Sequence, residues 1–135
     1  MKMRWILIIF AVLVGIFFFQ QILGGEVIYC CDNLLINIPS KLFLVEQLRQ
    51  GVFPLWNPYI FSGSPFLADI NFSLLYPLNV LYFFIPAFRA LTISVMINFL
   101  IAIIGTYVFA RSVNLSRFGS ILSSVVFGFS GTMVV

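Results

Sequence analysis

From Trp5 to Leu23 the chain is almost continuously apolar, interrupted only by Gly15, Gln20 and Gln21. At about 1.5 Å per residue, a helix over 5–23 is roughly 28 Å long, enough to cross the hydrocarbon core of a bilayer. A second such run covers 90–110 and is closed by Arg111. A third starts near Phe118 and is still apolar at Val135. The stretch 74–87 is apolar too, but Pro77 and Pro86 break it. It reads as an interfacial or re-entrant segment leading into the second helix rather than a span. The pattern predicts an all-α integral membrane protein, a single membrane domain over 1–135. It has about three transmembrane helices, 5–23, 90–110 and an incomplete 118–135, with a long first loop over 24–89.

The loop has a pattern of its own. Within 39–50, Leu44, Val45 and Leu48 share one helical face, with Glu46, Gln47 and Gln50 on the other. Pro39 suits a helix start and Gly51 the residue after a helix end. A short interfacial helix lying flat on the membrane is expected there, with Glu46 and Arg49 spaced for a weak i,i+3 ion pair. Beyond Gly51 the helical period disappears. Pro54, Pro58, Pro65 and Pro77, with Gly63 among them, stiffen a loop carrying Trp56 and Tyr59, rings suited to headgroup depth. In the third helix Ser120, Ser124, Gly128 and Gly131 form a stripe of small residues that lets a neighbouring helix approach closely, a partner that could lie past Val135. Gly105 offers a similar position on the second helix.

Composition strengthens the membrane reading. The chain is 62% hydrophobic and 8% charged, against roughly 25% charged residues in soluble domains. Charge also sets an orientation. Lys2, Arg4, Arg111 and Arg117 fall on one side of the predicted spans; Glu26, Asp32, Glu46 and Asp69 fall on the other with Lys41, Arg49 and Arg89. The positive-inside rule places the N-terminus in the cytoplasm and the loop 24–89 outside. The first helix reads as a retained anchor, because its apolar run exceeds the ~7–15 residues of a signal-peptide core and Gly24-Gly25-Glu26 is a weak cleavage site.

Several chemistries are excluded. The chain has no His, so it carries no His triad, His metal site or His proton shuttle. Cys30 and Cys31 are adjacent, closer than the C-x-x-C spacing of a metal pair, and read as small apolar residues near the interface. A net charge of +3 without a basic stripe argues against nucleic acid. No Gly-rich nucleotide-phosphate loop is present. Asn71-Phe-Ser73 and Asn114-Leu-Ser116 match a three-residue glycosylation pattern that chance produces often. Asp32 is the residue singled out for chemistry. It follows the first helix and is flanked by Cys30, Cys31, Leu34 and Leu35. Partial burial raises a carboxyl pKa and makes a better base near neutral pH; a solvated Asp-Asn turn is the other reading of the same residues.

A family resemblance runs through the same loop. Asp32, Pro39, Gly51, Pro54-Leu-Trp-Asn-Pro-Tyr-Ile-Phe61, Gly63-Ser-Pro-Phe-Leu-Ala68 and Tyr76-Pro-Leu-Asn79 form a series that resembles the amino-terminal part of YfhO-type bacterial membrane proteins. Gly105-Thr-Tyr-Val-Phe-Ala-Arg111, Leu115-Ser-Arg117 and Phe127-Gly-Phe-Ser-Gly131 continue it. That family looks like the GT-C class of glycosyltransferases, polytopic enzymes of the plasma membrane that take sugar from a polyprenyl-phosphate carrier at the outer face. The resemblance implies Asp32 as catalytic base. Trp56, Asn57 and Tyr59 could line the sugar or acceptor groove, with Arg49 and Arg89 as the cations for the lipid phosphate. Nothing in the sequence suggests a soluble cofactor, and a divalent metal is left open. The implied partners are the bilayer, a polyprenyl-phosphate-linked sugar, a cell-envelope acceptor and further membrane helices. Members are several times longer, so the chain is expected to be an amino-terminal portion. A non-catalytic scaffold or accessory subunit, docking through the small-residue stripe, is the competing reading, as is a truncated inactive fragment.

Overall fold

A computed structural model describes residues 3–23, 33–69 and 73–130. It is mostly helical: α1 (Met3–Phe17), α2 (Phe19–Leu23), a π-helical turn (Asn33–Asn37), α3 (Ile38–Arg49), a 3₁₀ helix (Pro77–Phe83), α4 (Ala87–Ser112) and α5 (Arg117–Gly128). One minimal antiparallel ladder departs from the all-α expectation. In it β1 (Trp56–Asn57) pairs with β2 (Ser64–Pro65), Trp56 opposite Pro65 and Asn57 opposite Ser64. The chain forms two compact units, Met1–Glu26 with Val95–Val135, and Val27–Ser94.

Among the described residues α4 alone is long and apolar enough to cross a membrane. Its 26 residues span about 39 Å. Three spans are therefore not what the helices by themselves display. The first predicted span is interrupted at Phe18, and α5 covers only 12 described residues, about 18 Å. The interruption coincides with an aromatic cluster in which the consecutive rings of Phe17 and Phe18 both meet Phe99, at centroid distances of 6.0 and 5.2 Å, while Phe17 also meets Phe129 at 5.2 Å.

In the helical unit burial follows helical spacing. Ile6, Phe10, Val14 and Phe18 are buried along the first helix, and Phe99, Ile103, Tyr107 and Ala110 along α4. On α5 the buried residues are Ser120, Ser124 and Gly128. Large apolar side chains face outward instead: Trp5, Ile9, Val12 and Ile16 on α1, Ile101, Val108 and Phe109 on α4, Phe118, Leu122 and Val126 on α5. A water-soluble helix carries polar side chains on such an outward face. Close packing through small residues with apolar side chains outside is how helices associate in lipid. The buried hydroxyls are satisfied within the helix: Ser120 donates to Ser116 O at 2.9 Å and Ser124 to Ser120 O at 2.6 Å.

The expected stripe therefore packs, and its partner is within the chain. A Cβ on Gly128 would fall 2.2 Å from Ile103 Cγ1, so only glycine permits this approach of α5 to α4. Gly105 does not serve this way; it is exposed with nothing within 4 Å of its would-be Cβ. The turn between α4 and α5 is a Schellman motif. Asn114 adopts φ 61°, Leu115 N–H donates to Ala110 O at 3.1 Å and Asn114 N–H to Arg111 O at 3.2 Å. Ser116 caps α5 by accepting from Gly119 N–H at 3.1 Å. Asn114 and Ser116, two members of the apparent glycosylation pattern, thus have structural uses.

Candidate functional site: the loop unit

The loop unit is organised by α3. Pro39 lacks an N–H and its ring crowds the carbonyl four residues back. The chain nevertheless turns helically before it, because the π-helical turn Asn33–Asn37 widens the backbone where a regular helix would be disrupted. Ser40, buried, donates to Ile36 O at 2.6 Å across this junction. At the other end Gly51 takes φ 74°, with Val52 N–H on Gln47 O at 3.0 Å and Gly51 N–H on Leu48 O at 3.1 Å, a second Schellman motif at the predicted place.

Two faces of α3 bind the rest of the unit. Leu44 shares a buried cluster with Phe66 and Leu74, onto which Phe43, Leu48 and Ile60 pack. Val45 shares another with Tyr82 and with Ala90 in the first turn of α4. Phe43 is edge-on to Phe66 at 5.1 Å and to Tyr59 at 5.9 Å. Arg49 Nη2 donates to Phe83 O at 2.9 Å, tying the end of α3 to the segment entering α4. The expected Glu46–Arg49 ion pair is not formed.

The motif residues of the loop mostly shape it. Asn57 is 2% exposed, and its Oδ1 accepts from Tyr59 N–H at 2.9 Å, closing an Asx turn. Gly63 sits at φ 112° under the Trp56 indole; a Cβ there would lie 2.6 Å from Trp56 Cζ2. Asn79, buried, donates through Nδ2 to Ser73 O at 2.8 Å and Leu74 O at 2.9 Å, fastening the turn ahead of the 3₁₀ helix. On this frame Trp56 and Tyr59 are exposed, at 56% and 83%. Arg49 edges a shallow groove of about 400 Å³ on α3, lined also by Leu42, Val45, Glu46 and Gln50. Arg89 is exposed in the first turn of α4. The structure thus displays Trp56, Tyr59, Arg49 and Arg89 on the surface, and folds Asn57 inward as a positioning residue. Asp32 lies outside the described residues, as do Glu26, the Cys30–Cys31 pair, Asn71 and Gly131.

Sequence reading passed over Lys41. Its side chain is buried, and desolvation lowers its pKa from 10.5 to about 8. The signal was present in the spacing: Lys41, Leu44, Val45 and Leu48 stand at i, i+3, i+4 and i+7, so the lysine lies on the apolar face. Burial likewise raises the Tyr82 phenol. Among the described residues no three His, Cys, Asp or Glu side chains come together to hold a metal. Compared with known proteins, the chain matches no family model, no curated protein and no solved structure.

Proposed function

We propose that this chain is the amino-terminal part of a multi-pass membrane glycosyltransferase of the GT-C kind, with its N-terminus in the cytoplasm and the loop unit outside. The reading rests on the resemblance of the loop, and one observation carries it furthest. Gly51, Trp56, Asn57, Gly63 and Asn79 belong to the series that bears the resemblance, and each has a defined part in one folded unit that presents Trp56, Tyr59 and Arg49 on its surface. The outward apolar faces of the helical unit support membrane embedding. The first helix and α5 are taken as the further spans, α1 and α2 together covering about 31 Å at helical rise.

The reaction is sugar transfer from a polyprenyl-phosphate donor to an envelope acceptor. The bond between the anomeric carbon and the lipid phosphate oxygen breaks, and its electron pair leaves with the phosphate. The acceptor oxygen bonds to the anomeric carbon through an oxocarbenium-like transition state. Asp32 takes the acceptor proton. Arg49 and Arg89 are the cations this chain offers to the departing phosphate. Trp56 and Tyr59 supply ring faces for a sugar.

The scaffold alternative relied on a free small-residue stripe on α5. In the structure Ser120, Ser124 and Gly128 are buried and Gly128 meets Ile103, so that face is already engaged. The test is Asp32→Asn in the complete gene product, scored by an envelope-sugar profile and by protein level in membranes. Loss of one sugar modification at normal protein level is expected. An unchanged profile removes Asp32 from the mechanism.

A further inference from the structure

The tip of the β1–β2 hairpin uses its backbone in an unusual way. Phe61, Ser62 and Gly63 stand in succession at φ 52°, 61° and 112°. For a bulky side chain such as Phe a positive φ is disfavoured and needs a reason. The turn is held from both ends: Gly63 N–H donates to Ile60 O at 2.9 Å, and Asn57 closes the Asx turn at Tyr59. The result is a Phe61 ring that is 91% exposed, on the same tip as the exposed Tyr59. From Gln50 to Ala68 the chain carries no charged residue; Arg49 and Asp69 bound the run.

The contacts of α3 place this tip near the start of the membrane-crossing helix. Val45 packs with Ala90 in the first turn of α4. Phe43 and Leu44, adjoining positions on α3, hold Tyr59 and Phe66 of the hairpin. One helix, about 10 Å across, therefore separates the hairpin from the entry of α4. Phe84 and Phe88, flanking that entry, are themselves exposed. An uncharged aromatic tip at that distance from the bilayer entry suits the lipid interface, where aromatic rings partition favourably.

We propose that the hairpin tip at Phe61 is a lipid anchor, with the Phe61 ring inserted among the headgroups and upper acyl chains. The anchor fixes the depth of the loop unit and does not depend on the glycosyltransferase reading; it holds equally for a non-enzyme. The test reconstitutes the full chain in phosphatidylethanolamine and phosphatidylglycerol vesicles doped with chain-brominated phosphatidylcholine. Trp5→Phe and Trp56→Phe remove the native indoles and Phe61→Trp puts the probe at the tip. The expected result is blue-shifted emission, strong quenching by lipid brominated near the glycerol, and protection from aqueous iodide. Quenching by iodide but not by brominated lipid overturns the proposal in favour of a solvated tip. Protection from both quenchers overturns it in favour of a protein partner. In a second chain that keeps Trp56 alone, Phe61→Gly preserves the left-handed turn and removes the ring. Loss of lipid quenching of Trp56 is expected, and unchanged quenching overturns the role of Phe61.

Discussion

The two units of this chain close their interiors through different contacts. In the helical unit, α5 hides Ser120, Ser124 and Gly128 and turns Phe118, Leu122 and Val126 outward. In the loop unit, the inside is Leu44, Phe66, Leu74, Val45 and Tyr82, with Asn57 and Asn79 folded in to hold turns, while Leu35, Leu75 and Phe84 stay exposed. Where lipid is the solvent, large apolar residues are free to face out, and what decides packing is how closely backbones approach. Where the loop unit turns without regular structure, a folded-in amide supplies the partner that a buried carbonyl needs.

Substitutions at the tightest contact should break the comparison most visibly. Gly128→Leu drives a side chain into Ile103 and is expected to abolish the α4–α5 packing; Gly128→Ala should cost about 1–3 kcal/mol, the usual scale of overpacking. Adding Ile103→Ala to Gly128→Ala should cost less than the two single changes together, because it opens the space. Equilibrium unfolding in detergent measures all of these.

The loop unit offers a matched pair. Gly63→Ala combines a positive φ with a collision against Trp56 and should cost about 2–3 kcal/mol. Gly51→Ala meets no atom within 4 Å and should cost about 1–2 kcal/mol from φ alone. If the two cost the same, the Trp56–Gly63 contact has no energetic weight. Asn79→Ala leaves the Ser73 and Leu74 carbonyls without its amide and should cost about 1–2 kcal/mol, read as faster proteolysis of the loop.

The most conditional effect is a pH dependence, confined to alkaline solution. The folded Lys41 amine titrates near 8 against 10.5 when unfolded, so between those values the unfolded chain binds more protons and stability rises with pH. Below about 8 both states are protonated and the desolvation penalty is fully present. Lys41→Met should flatten the stability profile across that window. A wild-type profile that falls between pH 8 and about 9.5, below the range where the raised Tyr82 phenol opposes it, contradicts the burial of this charge.

What could be read from sequence divides along the same line. Periodicity found α3 within a residue at each end, because Gly51 is a helix-end signal whose physics is local. The small-residue stripe was legible for the same reason, though not its partner: Ile103 is one apolar residue among many on α4 until tertiary structure selects it. The hairpin was not legible, since strands as short as Trp56–Asn57 and Ser64–Pro65 show no alternation. The break at Phe18 has no Pro or Gly at that position to announce it, and a Phe at positive φ runs against every local preference. For the site, Trp56 and Tyr59 are exposed. The inward turn of Asn57 could not be seen, because Asn serves turns and ligands equally well in sequence.

The central claim is that α4 crosses the membrane with the loop unit outside. It is tested most directly by cysteine labelling in intact cells, after Cys30 and Cys31 are changed to Ser. Gln50 and Val113 are exposed and flank α4 in the chain, so each is replaced in turn by Cys. A membrane-impermeant maleimide should label position 50 from outside and position 113 only after the cells are permeabilised. Labelling of both positions from the same side would contradict the crossing, and with it the placement of the loop unit at the outer face.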